Sequence, residues 1–121
     1  MPTKYLKNIK PGEIWIVELS IRADDTIGHE TQKTRPCLVI ANNPVANMIT
    51  IIPLQSNLDT ANFPYTHLIK KNQKNKLKND SVAIIFQIRS LDRKRFRNFT
   101  SIIDDRDLSK IKTILKDFFK L

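Results

Sequence analysis

The sequence has few of the residues that make linkers and disulfides: two glycines and one cysteine among 121 residues. With a single cysteine, Cys37, no disulfide can form within the chain, which is typical of proteins from a reducing compartment. The apolar stretch around it (37–40, Cys-Leu-Val-Ile) favours a buried packing residue over a nucleophile. No Gly/Ser-rich linker and no internal repeat divides the chain, so we expect one domain over residues 1–121.

Long apolar runs are also absent. No run approaches the roughly 18 residues that a membrane span needs, and the N-terminal residues 1–11 lack the apolar stretch of a signal peptide. We therefore expect a soluble, cytoplasmic protein. No group of Cys, His or carboxylate residues has the spacing of metal ligands, so we expect neither a metal nor another cofactor.

Positive charge is what the sequence has in excess. Lysine and arginine number 21 against 12 acidic residues, which gives a net charge of +9. Such an excess on a small domain favours a polyanionic partner, because basic side chains that neutralise phosphates release counterions. A nucleic-acid partner is the first interpretation, and a solvated basic protein of the ribosomal kind is the alternative.

Segments rich in β-forming residues follow one another along most of the chain. The predicted strands are residues 13–19, 36–41, 48–54, 65–69, 81–89 and 98–103. Residues 20–34 and 70–78 are predicted as polar loops, and residues 91–96 as one helical turn. From Leu108 to Phe119 the apolar residues change to helical spacing, and Asp104 and Asp105 occupy the expected N-cap. The pattern predicts a mainly β fold, a small antiparallel barrel with a C-terminal helix across an open end or face.

Several short segments together resemble the MazF/PemK family of toxin endoribonucleases. They are Pro-Gly-Glu-Ile-Trp (11–15), Gly-His-Glu (28–30), Lys-Thr-Arg-Pro (33–36), Leu-Val-Ile-Ala-Asn (38–42), Pro-Leu-Gln-Ser (53–56), Asp-Ser-Val (80–82) and Gln-Ile-Arg-Ser-Leu-Asp (87–92). Their order and spacing over residues 10–95 carry the resemblance, and residues 1–10 would be an N-terminal extension. The resemblance implies an SH3-like barrel of the CcdB/PemK type, a homodimer, and an acidic antitoxin protein as partner.

The resemblance to the MazF/PemK family also implies metal-independent cleavage of single-stranded RNA. In this reaction the ribose 2′-OH attacks the adjacent phosphate and leaves a 2′,3′-cyclic phosphate and a 5′-OH. Arg35 matches the family's Arg-Pro motif, and its fork of donors suits a phosphorane. A loop-capping arginine, or one paired with Glu30, is the alternative. His29 is the candidate acid or base, since an unperturbed imidazole titrates near pH 6.5. An exposed loop histidine without a role is its alternative.

Two positions depart from the family pattern. Gln55 and Ser56 stand where many members have Thr-Ser at the phosphate site, although an amide and a hydroxyl can still donate hydrogen bonds. Phe86 stands where PemK-type members have an aspartate assigned as a base, and phenylalanine cannot act as one. Both departures leave open a catalytically weak or inactive RNA-binding barrel.

The remaining candidates are RNA contacts rather than catalytic groups. The resemblance assigns this role to Glu30, Lys33, Thr34, Gln87 and Arg89. On a continuous strand Gln87 and Arg89 would share one face, opposite to Phe86. For Arg89, a structural salt bridge with Asp92 is the alternative. A CcdB-type gyrase poison has the same fold but ends in Trp-Gly-Ile, whereas this chain ends in Phe-Lys-Leu (119–121), so we discount that function.

Overall fold

A computed structural model describes residues 8–19 and 34–121. The strands are β1 (Glu13–Glu18), β2 (Thr34–Asn43), β3 (Met48–Gln55), β4 (Thr66–Ile69), β5 (Ser81–Ile84), β6 (Arg89–Asp92) and β7 (Phe96–Ile102), and the helix is α1 (Asp105–Phe118). Short 3₁₀ helices cover Leu58–Asn62, Ile85–Gln87 and Arg93–Arg95. The third of these is the helical turn that the sequence predicted over residues 91–96.

The strands form one antiparallel sheet in the order β4-β5-β3-β2-β1-β7, with β6 also paired to β3. The prediction of a mainly β fold with a C-terminal helix is therefore confirmed. Among the described strands the ladder does not close into a ring, because β4 and β7 remain its two ends. The term barrel describes the curvature of this sheet and not a closed hydrogen-bonded cylinder.

Each face of the sheet buries its own apolar cluster, because successive side chains of a strand point to opposite faces. The first cluster contains Ile14, Leu38, Ile52, Leu54, Ile69, Ala83, Ile85, Ile103, Ile111 and Leu115. The second contains Ile9, Trp15, Val17, Cys37, Val39, Ile49, Ile51, Leu91 and Phe96. Helix α1 packs on the first face only, so the second face remains available for a site at the ends of its strands.

Helix α1 follows the predicted apolar spacing. Ile111 and Leu115 are buried, and Leu108 and Ile114 pack beside them. Asp104 occupies the predicted N-cap position, but its side chain accepts a hydrogen bond from Asn72 Nδ2 at 2.7 Å instead of capping the helix. No helix in residues 8–19 and 34–121 is long and apolar enough to cross a membrane.

The prediction of one long strand over residues 81–89 is wrong. The chain forms β5, then the 3₁₀ helix Ile85–Gln87, then β6, and both strands pair with the same edge of β3. Strand β5 pairs with Leu54 and Gln55, and β6 pairs with the residues from Met48 to Ile51. Pro53 lies in the gap between them, where its missing N–H cannot contribute to a ladder. Gln87 and Arg89 therefore do not share the face of one continuous strand.

Candidate functional site

Three strand termini meet at one end of the second face. Strand β1 ends at Glu18, which pairs with Thr34 at the start of β2. Strand β3 ends at Gln55, two residues beyond Pro53, the partner of Cys37 on β2. By strand alternation Arg35 and Gln55 therefore lie on the face of Cys37. Leu19, directly after β1, and Thr34, the first residue of β2, both lie at this end.

Arg35 and Gln55 contact each other across β2 and β3. Arg35 Nη1 donates a hydrogen bond to Gln55 Oε1 at 3.1 Å, and both side chains are half-buried. This bond uses one of the five N–H donors of the guanidinium and fixes the direction of its planar fork. Because the Gln55 carboxamide accepts through its oxygen, its NH₂ group keeps two donors for another acceptor. The pair is therefore suited to holding a phosphoryl group.

Arg89 brings a second guanidinium to the same end of the molecule. Its Nη2 donates to the Leu19 carbonyl at 2.9 Å. In the order β6-β3-β2-β1 these strands would lie about 14 Å apart in a flat sheet, so the bond shows how strongly the sheet curls. The suggested salt bridge of Arg89 with Asp92 is not among its contacts, and Asp92 Oδ1 accepts from Lys94 N at 2.8 Å instead.

Cys37 lies beneath the two arginines and packs as part of the core. It is fully buried, and its Sγ donates to the Arg35 carbonyl at 3.6 Å. Desolvation by burial raises the pKa of the Cys37 thiol to about 12, against the smaller Coulombic influence of Arg89 and then Arg35. The thiol is therefore neutral in the folded protein, as expected for a packing residue and not for a nucleophile.

A labelling experiment checks this assignment. We expect Cys37 to react with iodoacetamide at pH 8 at least about 100-fold more slowly in the native protein than in the unfolded chain, because only the thiolate attacks. The measurement is the alkylated fraction by mass spectrometry over time, with and without urea. Rapid labelling of the native protein would show that this thiol is accessible and ionised.

Ser56 directly follows Gln55 and lies just beyond the end of β3. It is exposed and lines a shallow depression of about 400 Å³ together with Leu58, Lys71, Asn79 and Asp80. Lys71 N donates to Asp80 Oδ1 at 2.9 Å, which closes one side of this depression. Neither Arg35 nor Gln55 lines this depression.

Gln87 and Phe86 project from the 3₁₀ helix between β5 and β6. A 3₁₀ helix has three residues per turn, so Ile85 and Ile88 share the side that packs into the first cluster. Phe86 and Gln87 consequently point outward, and both are exposed. The exposed position of Phe86 on a 3₁₀ helix was not predicted from the sequence.

Of the other predicted site residues, His29, Glu30 and Lys33 lie outside the described residues. Thr34 is exposed at the start of β2. No group of three or more His, Cys, Asp or Glu side chains suited to a metal occurs within residues 8–19 and 34–121. His67 joins β4 to α1, because its Nε2 lies 2.9 Å from Asp107 Oδ1.

The fold matches that of solved MazF toxins. MazF from Deinococcus radiodurans superposes with a TM-score of 0.73 at 20% sequence identity, covering 93% of this chain and 97% of the other. The Mycobacterium tuberculosis toxin MazF-mt6 gives 0.68 at 15% identity, covering 90% and 97%. A mycobacterial endoribonuclease in complex with its cognate antitoxin gives 0.67 at 14% identity, covering 93% and 96%.

The sequence itself identifies the family. Residues 10–119 match the sequence model of the PemK-like, MazF-like toxins of type II toxin–antitoxin systems. This range contains all the strands and the helix found in the described residues. The chain therefore belongs to the PemK-like, MazF-like toxin family.

Proposed function

We propose that this protein is an endoribonuclease that cuts single-stranded RNA without a metal ion. The observation that carries the proposal is the Arg35–Gln55 pair at the strand ends, with Arg89 beside it. Transesterification needs a base for the ribose 2′-OH, an acid for the leaving 5′-oxygen, and aligned donors for the phosphorane. Arg35, Gln55 and Arg89 are proposed to meet the third requirement, and membership of the PemK-like, MazF-like toxin family supports the reaction class.

Arg35 is proposed to stabilise the phosphorane. Its fork can offer two parallel N–H donors to two phosphoryl oxygens, and the hydrogen bond to Gln55 holds the fork in one orientation before substrate arrives. Gln55 contributes through that bond and through its own NH₂ donors. The half-buried position strengthens both interactions, because water screens them less.

Proton transfer is proposed for His29, with Glu30 as the residue that positions it. The described residues Leu19 and Thr34, on either side of 20–33 in the sequence, lie at this end of the sheet, and Thr34 adjoins Arg35. The ordinary pKa of a histidine suits both acid and base work.

RNA contacts away from the scissile phosphate are proposed for Glu30, Lys33, Thr34, Gln87 and Arg89. Arg89 adds positive charge at the second face, and Gln87 points outward two residues before β6 begins. The exposed hydroxyl of Ser56 is proposed to act with Gln55 at the phosphate. We also propose a homodimer with two such sites, and an acidic antitoxin that covers them in the cytoplasm by charge complementarity.

The test of this function is RNA cleavage in EDTA. We expect purified protein to cut a long single-stranded RNA at full rate with chelator present, and to leave duplex RNA and single-stranded DNA intact, because DNA lacks the attacking 2′-OH. Gel analysis of the three substrates measures this. Cutting that stops in EDTA and returns with magnesium would contradict the proposal.

A non-cleaving RNA-binding protein is the second candidate. It is favoured by Phe86, which cannot transfer a proton at the position where PemK-type toxins carry an aspartate. Under this function the protein binds single-stranded RNA in a salt-dependent way and leaves it uncut. The same cleavage assay, combined with a binding measurement, separates the two functions.

A further inference from the structure

Two phenylalanines are exposed together beside the candidate site. Phe63 is 58% exposed and Phe86 38% exposed, yet their rings form an edge-to-face pair with centroids 6.4 Å apart and planes at 80°. Exposed aromatic rings are normal when scattered singly, but a preformed pair presents ring faces to solvent at a fixed place. Such a pair indicates a binding surface.

The fold holds these two rings in place. Phe86 is the middle residue of the 3₁₀ helix Ile85–Gln87, and Phe63 follows the 3₁₀ helix Leu58–Asn62. Ile85 N donates to the Tyr65 carbonyl at 3.1 Å, so a backbone hydrogen bond joins the two segments that carry the rings. The two segments are therefore held together before any partner binds, which reduces the entropy lost on binding.

Both rings are connected to the candidate site by short stretches of chain. Arg89 follows Phe86 by three residues, which limits their Cα separation to about 10 Å. On the other side, the chain that carries Phe63 leaves β3 at Gln55, the hydrogen-bond partner of Arg35. The aromatic pair is thus joined through the chain to Arg89 and to the hydrogen-bond partner of Arg35, on a protein of net charge +9.

We propose that Phe63 and Phe86 form a platform on which bases of single-stranded RNA stack beside the cut. This rests on the proposed function for the identity of the strand. Unpaired bases stack on aromatic side chains, and the cationic surroundings favour a polyanion over an apolar protein segment. Phe86 then has a binding role at the position where it cannot serve as a base, and the platform selects substrates by the stacking strength of their bases.

The experiment separates base contacts from phosphate contacts and needs no cleavage. Two uncleavable 2′-O-methyl oligonucleotides of about 12 nucleotides are compared, one of uridines and one abasic throughout. Fluorescence anisotropy gives their Kd for the full chain and for Phe63→Leu and Phe86→Leu. We expect each variant to bind the uridine oligonucleotide about 5- to 20-fold more weakly, which corresponds to about 1–1.8 kcal/mol and lies within the range typical for stacking of one base. Binding of the abasic oligonucleotide should stay within about twofold.

Two controls keep the result specific. Phe99→Leu removes a ring that is 44% exposed and edge-on to Trp15. This ring lies on β7, at one end of the strand order and away from β4 and β5. Phe99→Leu should leave both Kd values within about twofold. Phe86→Tyr retains a stacking face and should restore binding of the uridine oligonucleotide, which a general packing defect would not allow.

Three outcomes would overturn the platform: equal losses on both oligonucleotides, the same loss in Phe99→Leu, or unchanged RNA binding with weakened self-association of the variants in sedimentation. The last would assign the rings to a protein contact. Failure of the proposed function looks different. If the wild-type protein never cuts RNA, and Phe86→Leu still weakens binding of the uridine oligonucleotide alone, the nuclease proposal is refuted and the platform is retained.

Discussion

Arg35→Ala should lower the rate of RNA cleavage about 10²–10³-fold and leave the fold intact. Removing one preorganised donor from a developing negative charge typically has an effect of this size. Arg35 is half-buried and donates to Gln55 Oε1 at 3.1 Å. Alanine removes this positioned donor and puts no other donor in its place. RNA affinity should fall less than turnover, because phosphate contacts are spread over many basic residues. Single-turnover cleavage and the Kd of an uncleavable RNA measure the two effects.

The matched control is Arg106→Ala, which removes an exposed arginine from α1, on the opposite face of the sheet. It should retain nearly the full cleavage rate. Arg35→Lys keeps the charge but loses the fork, and should be intermediate. An Arg35→Ala protein that melts with the parent and still cuts at the parent rate would remove Arg35 from the site.

Ile111→Ala should destabilise the protein by about 2–5 kcal/mol, because it leaves a cavity where a fully buried side chain joins α1 to the first apolar cluster. This is a large part of the roughly 5–15 kcal/mol by which native domains are stable, and the melting temperature should fall by about 10 °C or more. Urea unfolding followed by circular dichroism measures the free energy of unfolding.

Lys112→Ala is the control for this change, since Lys112 is the exposed neighbour of Ile111 on the same helix. Its free energy of unfolding should stay within about 0.5 kcal/mol of the parent. A loss below about 1 kcal/mol in Ile111→Ala would mean that α1 contributes little to the fold and that its packing on the sheet is loose.

Periodicity predicted the elements that are long and strongly patterned. The apolar spacing of α1 and the β-rich stretches before it gave the fold class, and the first three strands lie within two residues of their predicted ends. The break after Ile84 was missed because residues 81–89 are rich in β-formers throughout. What interrupts this stretch is its pairing with β3, where Pro53 lies in the gap, and a tertiary partner is not visible in local composition.

The hydrogen bonds that hold residues 70–78 in place could not be predicted from periodicity either. Asn75, which is fully buried, accepts from Asn72 N and Leu77 N and donates to the Lys70 carbonyl at 2.9 Å. Ser101 Oγ donates to the Asn75 carbonyl and ties this loop to β7. One asparagine among lysines and other polar residues has no distinctive pattern, so only the fold reveals its role.

The candidate site, too, was predicted from the sequence only in part. Arg35 and Gln55 were predicted from sequence motifs, but their contact follows from the β2–β3 register, which places them on one face at the strand ends. Ser56 shares a motif with Gln55 and lines a separate depression, because the chain leaves the sheet after Gln55. Phe63 stands in a polar stretch before Pro64, and no motif indicated that it would meet Phe86.

The most direct test of the central claim is the chemistry of the new RNA ends. A defined single-stranded oligoribonucleotide is incubated with the protein in EDTA, and the fragments are identified by mass spectrometry. Attack by the ribose 2′-OH at a phosphate held by Arg35 predicts 2′,3′-cyclic phosphate on the upstream fragment and 5′-OH on the downstream one. Fragments with 3′-OH and 5′-phosphate ends, or an RNA that remains whole, would contradict the account.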